Sequence, residues 1–204
     1  QRGSKLLVVD PRLTWLAAHA DCWLRIRPGS DGALALAMGN VMIEEELYDK
    51  DFVDKWCYGF DEYAALCREW APERAEEVTW VPADKIRKAA RLLAENAPAL
   101  LQWGVALDQR EDCVFASRAV LSLFCITGNI ERPGSNIVGP ELLKYITGWG
   151  RELLPFDAEE KRIGTDELLI YKLGLQVASI NKLIDHMIEQ PADYPIKASW
   201  IQTV

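Results

Sequence analysis

Two turns of the sequence place polar side chains directly after short apolar runs. Asp10 follows Lys5–Val9, and the pair Ser30 and Asp31 follows Trp23–Ile26. A carboxylate at such a turn can accept two hydrogen bonds, either from a ribose diol or from the donor edge of an amidine-like base. Ligands of open α/β sheets bind where strands end and helices begin. The two turns are therefore compatible with a nucleotide.

A third turn is marked by Gly104, where the missing side chain would let a ligand approach the backbone. Each of these residues also has a purely structural interpretation. Asp10 could cap a helix beginning at Pro11, and Ser30 or Asp31 could cap the next helix, because Ser and Asp are favoured at that position. Glycine also commonly ends a strand. The residues alone leave both interpretations open.

The elements that must position these turns alternate along the first half of the chain. Apolar runs over Leu6–Val9, Trp23–Ile26 and Ala99–Trp103 predict buried strands. Pro11 suits the first turn of a short helix. Helical spacing predicts further helices over Ala33–Glu46, Asp51–Cys57, Asp61–Trp70, Pro72–Val78, Pro82–Asn96 and Asp112–Thr127. This order predicts an α/β fold, with a parallel sheet in Rossmann-like layers and flanking helices.

The last third of the sequence has a different character. Ile130–Leu154 is rich in Gly and Pro and predicts a long ordered loop. Glu167–Gln190 predicts two helices interrupted near Gly174, and Ile196–Val204 predicts a strand. The shift in composition after the third strand predicts a domain boundary near Gly104.

Composition excludes several classes of function. The chain has 23 Lys and Arg against 31 Asp and Glu, a net charge of −8, so it lacks the basic face that nucleic-acid binding needs. No apolar run approaches the ~20 residues that span a bilayer. The five cysteines form no C-x-x-C pair, and His19 and His186 stand apart from them. Reduced thiols without a metal site are the expectation.

A series of short motifs runs in one order along nearly the whole chain. They are Gly3–Thr14, Ala18–Asp21, Ile26–Leu36, Ile43–Val53, Val81–Ile86, Trp103-Gly104, Thr127–Asn136 and Tyr194–Ala198. In this order they resemble the molybdopterin oxidoreductase (dimethyl-sulfoxide reductase) family. The sequence departs from the family pattern at Ala106 and Glu131, where glycine is usual. With Pro133–Asn136, these departures resemble the branch containing acetylene hydratase, transhydroxylase and thiosulfate-reductase-like enzymes.

The resemblance implies a fold and a cofactor. Family members hold molybdenum or tungsten between two molybdopterin guanine dinucleotides (bis-MGD), which are gripped by two related α/β domains. Residues 1–104 resemble the latter part of one such domain, and residues 105–204 resemble a segment of the second. The chain is thus expected to be an internal fragment of a larger multi-domain oxidoreductase, inactive by itself.

The resemblance also implies roles for particular residues. The turn of Asp10, Pro11 and Arg12 and the turn of Gly29, Ser30 and Asp31 would contact the guanosine end of one dinucleotide, although by itself Arg12 is more typical of a solvated surface arginine. Gly104 and Gln109 would approach the pterin. No catalytic residue and no metal ligand are expected in this chain.

Other parts of the parent enzyme are implied elsewhere. An iron–sulfur cluster and the metal ligand are expected upstream, a C-terminal domain that completes the dinucleotide sites downstream, and an electron-transfer subunit is a possible partner. Two alternatives remain at this point. One is a stand-alone, non-catalytic module that binds a guanine nucleotide or a protein. The other is a scaffold without a ligand, whose apolar Trp149–Phe156 and last strand form a protein interface.

Overall fold

The computed structural model describes residues 3–137, 162–167, 180–192 and 195–197. The chain divides into two compact units, residues 1–138 and residues 139–204. The predicted division at Gly104 concerns segments of two related domains of a parent fold, and it stays a prediction. The first unit contains, in chain order, β1 Leu7–Val9, α1 Trp15–Ala18, β2 Cys22–Leu24, α2 Asp31–Glu44, α3 Lys50–Trp56, α4 Phe60–Arg68, α5 Pro72–Thr79, α6 Ala83–Glu95 and α7 Cys113–Ile126.

The two predicted N-terminal strands form a parallel pair. Leu7 pairs with Cys22 and Val9 with Leu24, and the N–H of Asp10 extends the pairing by donating to the Leu24 carbonyl at 3.2 Å. Parallel neighbours require a crossover connection, which α1 supplies. The α/β fold class is confirmed, with a small parallel sheet among helices.

The expectation that Pro11 opens the first helix is wrong. The helix α1 begins at Trp15, and Thr14 is its N-cap, with its hydroxyl accepting from the Ala17 N–H at 3.2 Å. Thr is a favoured capping residue, because its side chain satisfies a donor that the first helical turn leaves unpaired. Pro11 instead lies in the turn between β1 and this cap.

The helix α2 is the centre of the first unit. It contacts α4, α5, α6 and α7, and a helix that is apolar on several sides is expected to be surrounded in this way. Its buried side chains, which form much of the core, are Leu34, Ala35, Ala37, Met38, Val41 and Met42. Because α2 starts directly after the turn that follows β2, Arg27–Asp31, this packing also holds Ser30 and Asp31 in place.

The helices around α2 confirm the predicted helices, with small differences at their ends. Asp49 caps α3, and its carboxylate accepts from the Phe52 N–H at 2.9 Å. Pro72 occupies the first turn of α5, where a missing N–H costs nothing. The helix α6 turns Ile86, Ala89 and Ala90 toward the core.

Two buried polar groups lie where α4 crosses α2. A Cβ built on Gly39 would lie 2.5 Å from the Tyr63 hydroxyl and 2.9 Å from the Cys67 sulfur, so the missing side chain allows the close approach. Burial raises the pKa of the Cys67 thiol to about 11. Burial also raises the pKa of Tyr63. Both groups are therefore neutral at physiological pH.

The predicted third strand, Ala99–Trp103, is not a strand in the structure. The N–H of Ala99 donates to Oδ1 of Asn129 at 2.8 Å, and the N–H of Leu101 donates to Oδ1 of Asn136 at 3.0 Å. Side-chain amides thus take the backbone donors that a neighbouring strand would use. The segment is held beside the C-terminal end of α7 without joining the sheet.

The helix predicted over Asp112–Thr127 is confirmed as α7, which ends just before Gly128. Gly128 has φ +63°, and a Cβ there would lie 2.9 Å from a carboxylate oxygen of Asp49, so glycine suits both the conformation and the space. Glu131, which stands where the family pattern has glycine, also adopts a left-handed conformation, with φ +57°.

The second unit is described only in part. Its helix α8 spans Ile180–Glu189 and carries Lys182, which forms an ion pair with Glu167. The described part confirms the second of the two helices predicted over Glu167–Gln190. The break near Gly174, most of the loop to Leu154 and most of the last strand lie outside the described residues. Among the described helices of the whole chain, none is long and apolar enough to cross a membrane.

Candidate functional site

The structure brings the first two predicted turns to one edge of the sheet. Because β1 and β2 run parallel with Val9 beside Leu24, their carboxyl ends lie next to each other. Asp10 follows β1 directly, and the turn Arg27–Asp31 follows β2 and leads into α2. This is the edge at which open parallel sheets bind ligands.

Asp10 shapes its own turn and does not cap a helix. Its Oδ1 accepts the N–H of Arg12 at 2.7 Å, which is the hydrogen bond of an Asx turn. Its backbone carbonyl accepts from the indole N–H of Trp23 at 2.8 Å, which ties the turn to β2. Oδ2 of Asp10 makes no hydrogen bond to any described residue, while Arg12 is 84% exposed at its side chain. Two hydrogen bonds thus hold the turn, and Oδ2 of Asp10 can accept a further hydrogen bond.

Ser30 is buried and turned inward. Its hydroxyl donates to the Arg27 carbonyl at 2.8 Å and makes no capping hydrogen bond to α2. The alternative in which the Ser30 side chain caps α2 is therefore wrong, because this hydroxyl closes the turn instead. Gly29, with φ +93°, provides the left-handed residue that the turn needs.

Asp31 is the first residue of α2, and its carboxylate binds a distant arginine. Nη1 of Arg110 donates to Oδ2 of Asp31 at 2.5 Å, and Nη2 of Arg110 donates to the Gly29 carbonyl at 2.6 Å. Nη2 also lies 2.7 Å from Oδ1 of Asp112. The side chains of Arg110 and Asp31 are only 18% and 22% exposed, so this ion pair is better shielded from water than a surface pair. The described contact of the Asp31 carboxylate is thus an ion pair, and no hydrogen bond from it caps α2.

The β2 turn is therefore an acceptor pair for a planar group with two adjacent donors. The Gly29 carbonyl and the Asp31 carboxylate are the two acceptors, and a guanidinium fills them. The N1–H and N2–H₂ edge of guanine offers the same kind of donor pair, whereas adenine lacks it. The chemistry of this turn therefore fits a guanine base.

The third turn leaves backbone open to a ligand. A Cβ on Gly104 would meet no heavy atom of the described residues within 4 Å, and its carbonyl accepts from the Leu107 N–H at 3.3 Å. Gln109 is exposed, and its N–H donates to the Val105 carbonyl at 2.9 Å. The neighbouring Arg110 joins this loop to the β2 turn, which brings the second and third turns together.

Sequence reasoning missed three residues that organise this region. Apart from its place in an otherwise acidic loop, Asp108–Asp112, Arg110 has the sequence features of a surface arginine. Asn129 and Asn136 lie in the family motif Thr127–Asn136, but their contacts with Ala99 and Leu101 depend on tertiary structure.

A different ion pair lies at the opposite edge of the sheet. Hydrogen bonds from the Leu6 N–H and the Lys5 ammonium lower the pKa of Asp21, which precedes β2. Elsewhere in the described ranges, no group of three His, Cys, Asp or Glu side chains converges in a way that could hold a metal ion.

Comparison with known proteins yields one family. The family model described as molybdopterin oxidoreductase matches residues 1–203. Acetylene hydratase of Syntrophotalea acetylenica is 39% identical over 169 residues, which cover 81% of this chain and 23% of that protein. Formate dehydrogenase H of Escherichia coli is 39% identical over 137 residues, which cover 67% of this chain and 19% of that protein.

The similarity extends to three-dimensional structure. The solved structure of acetylene hydratase from Pelobacter acetylenicus matches with a TM-score of 0.70 and 37% identity, covering 83% of this chain and 24% of that one. The chain spans less than a quarter of the length of each of these relatives.

Proposed function

Because the chain belongs to the molybdopterin oxidoreductase family, we propose that it forms the central cofactor-binding portion of a molybdenum or tungsten oxidoreductase. Its role there is to hold the guanosine end of one dinucleotide of bis-MGD. The observation that carries this proposal is the acceptor pair at the end of β2, which takes two donors of a planar cationic group. Guanine presents the same donor geometry without the charge.

The two strand-end turns divide the recognition of guanosine between them. The Asp31 carboxylate and the Gly29 carbonyl accept from the base, and Ser30 keeps the turn closed through its bond to Arg27. Oδ2 of Asp10 lies on the same sheet edge and is suited to accept from a ribose hydroxyl. Pro11 and the exposed Arg12 complete the first turn, with Arg12 available to a phosphate oxygen.

The third turn is assigned to the pterin end. Gly104 presents backbone that no described side chain covers, and the amide of Gln109 can both donate to and accept from a pterin ring edge. This assignment rests on family resemblance together with the open space at Gly104.

The chain binds and orients the cofactor, and the cofactor itself carries out the chemistry. When bound, the metal centre of the parent enzyme supplies exchange of an oxo or sulfur group, or activation of water. The residues of this chain orient the dinucleotide and exclude other bases. The iron–sulfur cluster, the metal ligand, the domain that completes the dinucleotide sites and any electron-transfer subunit are assigned to parts outside these 204 residues.

Replacement of Asp31 tests this role in the full-length parent. Asp31→Ala and Asp31→Asn are compared with the wild type for metal content and for guanine nucleotide released by acid hydrolysis. Both variants are expected to lose more than half of each, because the base loses its charged acceptor. Asp51→Asn is the matched control, since it also removes a carboxylate from the first turn of a helix but leaves the β2 turn and Arg110 intact.

The control should retain wild-type contents of metal and guanine nucleotide. Normal contents in both Asp31 variants would remove Asp31 from the guanine site. Equal losses in the Asp31 variants and in Asp51→Asn would assign the effect to the loss of a negative charge at a helix start and not to direct recognition of the base.

A further inference from the structure

We propose that Arg110 acts as an internal substitute for guanine. It occupies the β2 turn, Arg27–Asp31, until the cofactor displaces it. This inference rests on the proposed guanosine role of the turn. It adds a second state of the site, in which the chain itself fills the acceptors. Binding of the base and docking of Arg110 are then mutually exclusive.

The hydrogen bonds of Arg110 use the atoms that a guanine would need. Its two terminal nitrogens donate in parallel to the Asp31 carboxylate and to the Gly29 carbonyl, at 2.5 and 2.6 Å. A Cβ on Gly29 would lie 3.5 Å from Nη2 of Arg110, so the guanidinium lies directly against the turn. The guanidinium thus occupies the acceptor atoms that the donor pair of a guanine would use.

The surroundings of Arg110 allow it to leave without losing every partner. Nη2 also lies 2.7 Å from Oδ1 of Asp112, whose side chain is 48% exposed. Rotation of the arginine toward Asp112 keeps one charge pair and frees both acceptors. Arg110 lies in a loop of turns and bends, residues 105–112, that precedes α7, so its position is not set by a helix or a strand.

Competition of this kind lowers the apparent affinity for guanine. If the guanidinium occupies the turn most of the time, the apparent Kd rises by the inverse of the open fraction. Removing the guanidinium should therefore tighten guanine binding, which is the opposite of what a residue that positions Asp31 for the base would do. The sign of the change separates the two roles.

The experiment titrates the cofactor-free full-length parent with guanosine and adenosine by calorimetry. Guanosine carries no phosphate, so the loss of a positive charge cannot affect binding through phosphate attraction. Arg110→Met removes the guanidinium at similar length, Arg110→Lys keeps the charge without the planar fork, and Arg118→Met removes an exposed arginine of α7 as the matched control. We expect Arg110→Met to bind guanosine at least about threefold more tightly than the wild type, with adenosine binding unchanged.

The other variants complete the test. Arg118→Met should bind guanosine as the wild type does, and Arg110→Lys should lie between the wild type and Arg110→Met. Equal or weaker guanosine binding by Arg110→Met overturns the inference. Absence of guanosine binding in every variant also overturns it, because the freed acceptors should then bind the base. The proposed function is judged separately, by the cofactor content of the Asp31 variants in the full-length parent.

Discussion

The carboxylate of Asp31 is paired in a chain whose charge is strongly negative. An unpaired carboxylate that is only 22% exposed would be costly, since burial disfavours the charged form. Arg110 removes this cost by supplying the opposite charge from 79 positions away. The β2 turn thus holds this carboxylate against a positive charge supplied by the chain itself.

The buried thiol of Cys67 makes stability depend on pH in the alkaline range. Its pKa is about 11 in the folded chain, against an ordinary value of 9.0. The unfolded chain therefore loses this proton first, and the free energy of unfolding falls as pH rises from 9 toward 11. At about 1.4 kcal/mol for each pKa unit, the loss is about 2–3 kcal/mol. Urea unfolding at a series of pH values measures it.

Two variants isolate the contribution of this thiol. Cys67→Ala and Cys67→Ser carry no group that titrates in this range, so their unfolding free energies should fall less between pH 9 and 11. Part of the decline should remain, because burial also raises the pKa of Tyr63. An undiminished slope in both variants would contradict the assignment.

At the scale of elements, two glycines of α2 face neighbouring helices at very different distances. Gly39 lets α4 approach, since a Cβ there would lie 2.5 Å from the Tyr63 hydroxyl. Gly32, near the start of the same helix, faces Ala116 of α7 at an ordinary distance of 3.6 Å. The two glycines therefore have different costs of substitution although both lie in one helix.

Alanine substitutions at these positions should change stability in opposite directions. Gly39→Ala is expected to lower the free energy of unfolding by about 1–3 kcal/mol, because the added methyl group overlaps the α4 side chains. Gly32→Ala is expected to raise it by up to about 1 kcal/mol, through helix propensity. Thermal and urea unfolding of the two variants measure both values. A loss of the same size at both positions would show that the close approach at Gly39 has no special cost.

The helices of the first unit could be predicted from sequence because their signals are local. Asp49 and Pro72 mark helix starts, and Gly128 marks an end, in each case through backbone groups a few residues away. The sequence wrongly predicts a third strand over Ala99–Trp103. Its apolar composition indicates burial, while the partners of its backbone, Asn129 and Asn136, lie some 30 positions later.

At the scale of the whole molecule, the candidate site joins turns that are far apart in sequence. Asp10 and Asp31 could be placed on one edge, because consecutive parallel strands end on the same side. The connection from Asp31 to the loop after Gly104 could not be predicted, since Arg110 has no local feature that marks it. The proposed guanine ligand comes from the family resemblance. The arginine bound to the Asp31 carboxylate and the Gly29 carbonyl is seen only in the structure.

The open space at Gly104 leads to a test in the full-length parent. Gly104→Ala should leave the free energy of unfolding within about 0.5 kcal/mol of the wild type, because the new methyl group meets no described atom within 4 Å. Its metal and guanine nucleotide contents should fall, since the methyl group would occupy the path of the pterin. Val105→Ala, at the exposed neighbouring residue, is the control and should keep normal contents. Normal cofactor content in Gly104→Ala would place the pterin elsewhere.

The two asparagine amides that hold the segment before Gly104 also fix its register. In an extended chain, the N–H groups of residues two apart point the same way, and Asn129 and Asn136 bind Ala99 and Leu101 in this spacing. A slip by one residue would turn both N–H donors away from the amide oxygens. The two hydrogen bonds together therefore oppose such a slip. An insertion or deletion of a single residue between Leu101 and Gly104 would therefore change where the glycine turn stands, while leaving both amide contacts intact.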